Sequence, residues 1–177
     1  MKATIDSLKI MLKTVNLYNV AEQIEELINI PLEQSISYEK FLERLLQCEI
    51  KGREEKRFER RLKHASFPEY KTLDEFDLNE QPSLSKRQFN QLKELGWIEQ
   101  GYNLILLGPT GVGKTMLSVG LGIHAINNGY KVHFVTMNDL VYILKTQDVI
   151  RTSRARYKRI IESDLVIIDD LMFMAME

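Results

Sequence analysis

Leu104-Ile105-Leu106-Leu107-Gly108-Pro109-Thr110-Gly111-Val112-Gly113-Lys114-Thr115 runs four apolar residues straight into a glycine-rich turn ending in Lys-Thr. The apolar run reads as a buried parallel strand. Residues 108–115 satisfy G-x-x-x-x-G-K-[ST], and Met116 to Ile126 reads as a helix that stops at Asn127-Asn128-Gly129. A strand before and a helix after are the context this motif requires. The stretch therefore predicts a phosphate-binding loop (Walker A) in an α/β sheet. Glycines at 108, 111 and 113 allow backbone conformations closed to other residues and let main chain approach phosphate directly. Successive N–H groups then face inward, and the helix adds its free N-terminal donors and positive dipole end. Pro109, Thr110 and Val112 complete the cradle, Lys114 reaches the β- and γ-phosphates, and the Thr115 hydroxyl is placed for Mg²⁺. The ligand expected from the loop is a nucleoside triphosphate with Mg²⁺.

Further along, Leu165-Val166-Ile167-Ile168 ends in Asp169-Asp170. Open α/β sheets bind ligands at the C-terminal ends of their strands. Asp169 reads as the Walker B acid that holds Mg²⁺. Asp170 stands where hydrolytic P-loop ATPases carry the acid that polarises the attacking water, often a glutamate. Lys114 and Asp170 are the catalytic candidates, and Thr115 and Asp169 the metal candidates.

The chain has 177 residues, 44% hydrophobic and 28% charged, with net charge −1. That is ordinary globular composition, and global charge gives no reason to expect a polyanionic partner. Cys48 is the single cysteine, which excludes an internal disulfide framework; beside Leu45 and Leu46 it reads as filler on a helix. No apolar run approaches membrane-spanning length and no signal peptide opens the chain, so a cytoplasmic location is expected. Three histidines and one cysteine lack metal-ligand spacing.

Residues 1–65 read as an all-helical domain. Ile5, Leu8, Met11, Leu12 and Val15, then Ala21, Ile24, Leu27 and Ile28, recur at helical steps until Pro31; Ser37 precedes a second amphipathic run from Phe41 to Leu46. Residues 66–98, with Pro68 and Pro82, read as a surface linker followed by a lead-in helix from Ser85 to Trp97, the tryptophan serving as packing anchor. Residues 99–177 form the nucleotide core, in which Lys131 to Val135 is the next strand, His133 a structural residue, and Asn138 or Asp139 a helix cap.

Two clusters depart from the neutral average. Residues 51–63 carry a local charge of +4, with interleaved glutamates that make a solvated face as reasonable as a DNA surface. Residues 145–159 carry +5, with Asp148 the one acid. There Arg151, Arg154, Arg156, Lys158 and Arg159 are candidate duplex-DNA contacts, and Arg151, Arg154 and Lys158 share a helical face.

With GPTGVGKT and LVIIDD set beside the helical leader, the YKTLDEF segment at 70–76 and FVTMNDL at 134–140, the chain resembles the IstB-like ATP-binding proteins of insertion sequences. These are AAA+ ATPases close to DnaC-type helicase loaders. The resemblance implies an ATP-dependent helper that forms a homo-oligomer on DNA and directs a transposase, with the helical leader mediating assembly or partner contact. The alternative is a replicative helicase loader. A small-molecule kinase is disfavoured by the Asp169-Asp170 pair and the lack of an evident lid, and an enzymatically silent interaction module is a fourth reading. The family continues past Walker B with a sensor residue, an arginine finger and a strand inserted between the two Walker strands. The expectation is thus a core truncated after Walker B, with weak or absent hydrolysis.

Overall fold

The computed structural model describes residues 2–29, 37–78, 81 and 83–171. Pro31 and Pro82 lie outside them. The described residues are mostly helical with a small parallel sheet, consistent with a P-loop NTPase core. They fall into two compact units, Met1–Arg57 and Phe58–Glu177.

In the first unit α1 (Lys2–Thr14) packs on α2 (Tyr18–Ile28), and α3 (Tyr38–Ala65) begins. Ser37 Oγ accepts the Lys40 N–H at 3.3 Å and so caps the start of α3. Buried Val20, Ala21 and Ile24 form the packed stripe of α2. The N-terminus of α2 has no capping side chain of its own. Glu49, on α3 and 4% exposed, supplies one: its Oε2 accepts the N–H groups of Asn19 at 2.8 Å and Val20 at 3.2 Å. Its Oε1 takes the Asn19 amide at 3.2 Å and Arg53 Nε at 2.8 Å. The two helices can come this close because residue 52 is glycine; a Cβ there would overlap the Asn19 side chain. Cys48 is half-buried and donates to Gln23 Oε1 at 3.5 Å, a packing role as expected.

The second unit is organised around α6 (Lys114–Asn127), whose Val119, Gly120, Leu121, Gly122, Ile123, Ala125 and Ile126 are all buried. One side of α6 meets the sheet of β1 (Val132–Thr136) and β2 (Leu165–Asp169), which pair in parallel with Val132 opposite Leu165 and Thr136 opposite Asp169. Gly122 makes the approach possible: a Cβ there would stand 2.7 Å from Phe67 Cζ and 2.9 Å from Ile167 Cδ1. On another side Leu73, Phe76 and Phe89 pack against Leu117 and Leu121, and the Phe76 and Phe89 rings stack at 5.8 Å. The segment expected to lie along a surface therefore supplies core residues, because a 3₁₀ turn at Leu73–Glu75 drives Leu73 inward. The lead-in helix divides into α4 (Lys86–Lys93), capped by Ser85 Oγ, and α5 (Gly96–Glu99), separated by buried Leu95 at φ 57°. Trp97 donates its indole N–H to Leu92 O at 2.9 Å and packs on the cluster of Ala65, Ala125 and Val132.

Three local expectations are corrected. The run Leu104–Leu107 is not a buried strand: among the described residues it pairs with none, and Leu104, Ile105 and Leu107 are 41%, 69% and 80% exposed. Only Leu106 packs inward. Apolar residues make a run eligible for a sheet, but a neighbour must supply the ladder. The cap of α7 (Met137–Thr146) is Thr136, whose Oγ1 accepts the Asp139 N–H at 3.2 Å, rather than Asn138 or Asp139. The basic segment is not uncompensated either, as its site geometry shows below.

His133 is structural. Buried on β1, it hydrogen-bonds through Nδ1 to the carbonyl of His64 at 3.1 Å, near the end of α3. A carbonyl accepts only, so Nδ1 carries the proton and Nε2 is left as a buried lone pair with no partner among the described residues. Burial, with lesser repulsion from Arg156 and Arg159, holds the ring's pKa below the ordinary histidine value despite that carbonyl.

Candidate functional site

The loop from Gly108 to Gly113 leads into α6 with two residues in the left-handed region, Gly111 at φ 85° and Gly113 at φ 82°. Side chains rarely tolerate that region, and here it turns the main chain so that α6 starts directly at Lys114. The first N–H groups of α6 have no intrahelical acceptors and meet the loop. Phe76 lies against the back of Gly113, where a Cβ would approach its ring to 3.3 Å, so the second unit's own core buttresses the turn. Nothing in the motif spacing announced Phe76; a phenylalanine in a segment read as linker was the available signal.

Lys114 Nζ donates to the carbonyls of Gly108 at 2.9 Å and Pro109 at 2.6 Å. The ammonium is thus folded over the mouth of its own loop, within reach of whatever the loop holds. Thr115 Oγ1 donates to Asp169 Oδ2 at 2.9 Å, joining residues 54 apart in sequence. This contact exists because α6 packs on β2 and both elements present their ligand-facing ends to the same place. Asp170 follows with φ 59°, a left-handed turn that aspartate accepts more readily than most residues. Thr115 and Asp169 offer one hydroxyl and one carboxylate oxygen side by side, a donor pair suited to a hard divalent cation completed by phosphate and water. Among the described residues no cluster of three or more His, Cys, Asp or Glu could hold a metal ion.

These features coincide with similarity to known proteins. A profile described as IstB-like ATP binding protein matches residues 10–177. The chain belongs to the IstB-like ATP-binding family. A Bacteroides fragilis relative, named for ATP binding in an IS21-like insertion sequence, is 36% identical over 156 residues, covering 88% of this chain and 59% of its own length. One from Pseudomonas aeruginosa, named for insertion sequence IS21, is 31% identical over 170 residues, 96% of this chain and 64% of the relative. One from Bacillus thuringiensis, named for IS232, is 30% identical over all 177 residues, 71% of the relative. The IstB-like chain described here thus spans 59% of the length of the first of these relatives and 64% of the second. AAA+ is the wider class of this family.

The basic candidates of this IstB-like chain lie on α8 (Arg151–Ile161), which packs on α7. They divide by partner. Arg154 folds back on the turn that follows α7, giving Nη2 to Asp148 O at 2.9 Å and Nε to Gln147 O at 3.3 Å. Arg156 pairs with Asp139 at 3.3 Å, and Lys158 with Glu162 at 3.7 Å. Buried Ser153 accepts from Thr146 Oγ1 at 2.8 Å, closing the same helix pair. The charge window of 145–159 ended short of both acids; widened to 139–162 it falls from +5 to +3. In 51–63, Lys51 lies 4.0 Å from Glu55, Arg53 2.8 Å from Glu49 and Lys56 3.9 Å from Glu22, so three of the seven basic residues of that cluster have acidic partners. Among the described residues, no helix is long and apolar enough to cross a membrane.

Proposed function

We propose that this chain is the nucleotide-binding part of a helper ATPase of insertion-sequence transposition, binding ATP with Mg²⁺ and acting on duplex DNA beside a transposase. The observation that carries the reading is the 2.9 Å bond from Thr115 to Asp169. It sets the last residue of the loop motif against the acid that ends β2, where a P-loop enzyme holds its metal. Gly108, Thr110, Gly111, Val112 and Gly113 cradle the polyphosphate with main-chain amides while Pro109, which has no N–H, fixes the bend of the loop, and Lys114 exchanges its two carbonyls for phosphate oxygens. Thr115 and Asp169 hold the cation, whose charge offsets that of the phosphates when bound. Asp170 orients water for attack on the terminal phosphate. The relatives' names, all tied to insertion sequences, favour transposition over helicase loading.

Titration calorimetry tests the reading. The chain takes up ATP only with Mg²⁺ present, and Lys114→Ala weakens uptake by at least about tenfold, the loss of one charge-assisted contact worth roughly 1.5–3 kcal/mol. Absence of magnesium-dependent uptake by folded protein would refute it.

A further inference from the structure

His133 carries a buried nitrogen that the phosphate site does not use. Phe134 packs on Val119 and Ile123 of α6, so alternation along β1 turns His133 to the opposite face of the sheet. The ring is 1% exposed and stands opposite Val166 of β2. Its Nδ1 proton goes to the carbonyl of His64 at 3.1 Å, and Nε2 has no partner among the described residues. One bond and an idle lone pair suit a neutral imidazole. A proton on Nε2 makes a buried cation with a donor and nothing to receive it, a costly condition for a group inside a protein.

The groups around the ring add to that cost. α8 brings Arg156 and Arg159, three residues apart and so on one helix face, and both repel a charge on the ring. α3 offers the His64 carbonyl, whose dipole favours the cation, while His64 itself is exposed. β2 offers Val166, which carries no charge. Asp139 of α7 is already bound to Arg156 at 3.3 Å. Burial and like charge together outweigh the one favourable dipole, and the ring titrates below the ordinary histidine value.

We propose that His133 is a proton-operated catch between α3 and α8: its neutral ring lets α8 pack, and a proton on Nε2 releases α8 ahead of the rest of the second unit. The device rests on neither the ATP nor the DNA reading. A histidine depressed in the packed state regains its ordinary value, near 6.5, once α8 opens. Packing of α8 is therefore at full strength above that pH. Below it, packing weakens by up to a factor of about ten per pH unit, until the ring of the packed form also takes up its proton.

Hydrogen exchange on the full chain without nucleotide, at about pH 7.5 and about pH 5.5, tests this once rates are corrected for the intrinsic pH dependence of exchange. Protection of α8 falls by up to about tenfold in the acid sample, while that of α6 holds. His133→Asn keeps an N–H for the His64 carbonyl but cannot titrate, and its α8 is equally protected at both pH values. Should that variant fail to fold by far-UV circular dichroism, imidazole NMR titration of the wild type decides: His133 must gain its proton together with the loss of α8 protection. A ring that protonates while α8 stays protected overturns the proposal. So does equal loss of protection in α6, a wild-type α8 equally protected at both pH values, or a folded His133→Asn that keeps the wild-type pH response.

Discussion

At Gly122 a single hydrogen atom decides whether α6 reaches the sheet. Phe67 Cζ and Ile167 Cδ1 would lie within 2.7 and 2.9 Å of an added Cβ, and both side chains are packed against the cluster of Val119, Ile123 and Phe134. Phe67 is also held edge-on against Phe134 at 6.3 Å. Alanine favours a helix over glycine by about 1 kcal/mol, but overpacking a filled interior costs about 1–3 kcal/mol. Gly122→Ala is thus predicted to lower the denaturation midpoint of the second unit. Gly96→Ala, where only Gln100 Nε2 comes within 4 Å, at 3.8 Å, should be neutral or slightly stabilising. Equal effects of the two substitutions in urea titrations would contradict this account. The same close approach brings Thr115 to Asp169, so the helix–sheet spacing at Gly122 and the candidate metal position are one geometric fact seen at two levels.

Among elements, α2 depends most plainly on another for its start. Burial alone would raise the Glu49 pKa, but the bond from Arg53 and the N–H groups of Val20 and Asn19 outweigh it and hold the carboxyl below the ordinary glutamate value. A carboxylate depressed in the folded state contributes stability fully above its unfolded pKa and loses it as pH falls through the folded value. The first unit should therefore lose helicity below about pH 4.5, the region where free glutamates protonate. Glu49→Gln keeps an acceptor for the α2 amides yet removes the charge facing Arg53. It should cost about 1–3 kcal/mol at neutral pH and flatten the acid limb of a circular dichroism titration. An unchanged acid limb would show that Glu49 does not set it. This cap illustrates what the chain's letters reveal and what they hide. The loop 108–115, the helix after it, the strand ending at Asp169 and the helices of the first unit were legible, since each rests on local periodicity or spacing. The partner of residues 104–107, the cross-helix cap by Glu49 and the inward packing of Leu73 were not, since each is decided by residues distant in sequence. The capping role of Thr136 is hidden in the sequence because the same residue ends β1, where strand patterning dominates.

For the molecule as a whole, a net charge of −1 supplies no general attraction to DNA, so any affinity must come from distribution. Within the proposed function, α8 supplies it, and its ion pairs sort the candidates. Arg156 is committed to Asp139 and half-buried, and Arg154 closes the junction with α7, so both act chiefly in holding the helix pair. Arg151 and Arg159 are exposed, and Lys158 pairs on the surface with Glu162, a pairing that water screens to little net value. Three phosphate contacts imply a slope of about −3 in log affinity against log salt, near −0.9 for each phosphate neutralised. Arg151→Ala and Arg159→Ala should each reduce that slope by about 1 with no preference among sequences. Arg156→Ala should instead lower the thermal stability of the second unit and leave the slope nearly unchanged, because its charge already has a partner. Filter binding across a salt series with duplex DNA separates these outcomes. A slope that falls most for Arg156→Ala, or for none of the three, would move the nucleic-acid surface away from the exposed side of α8.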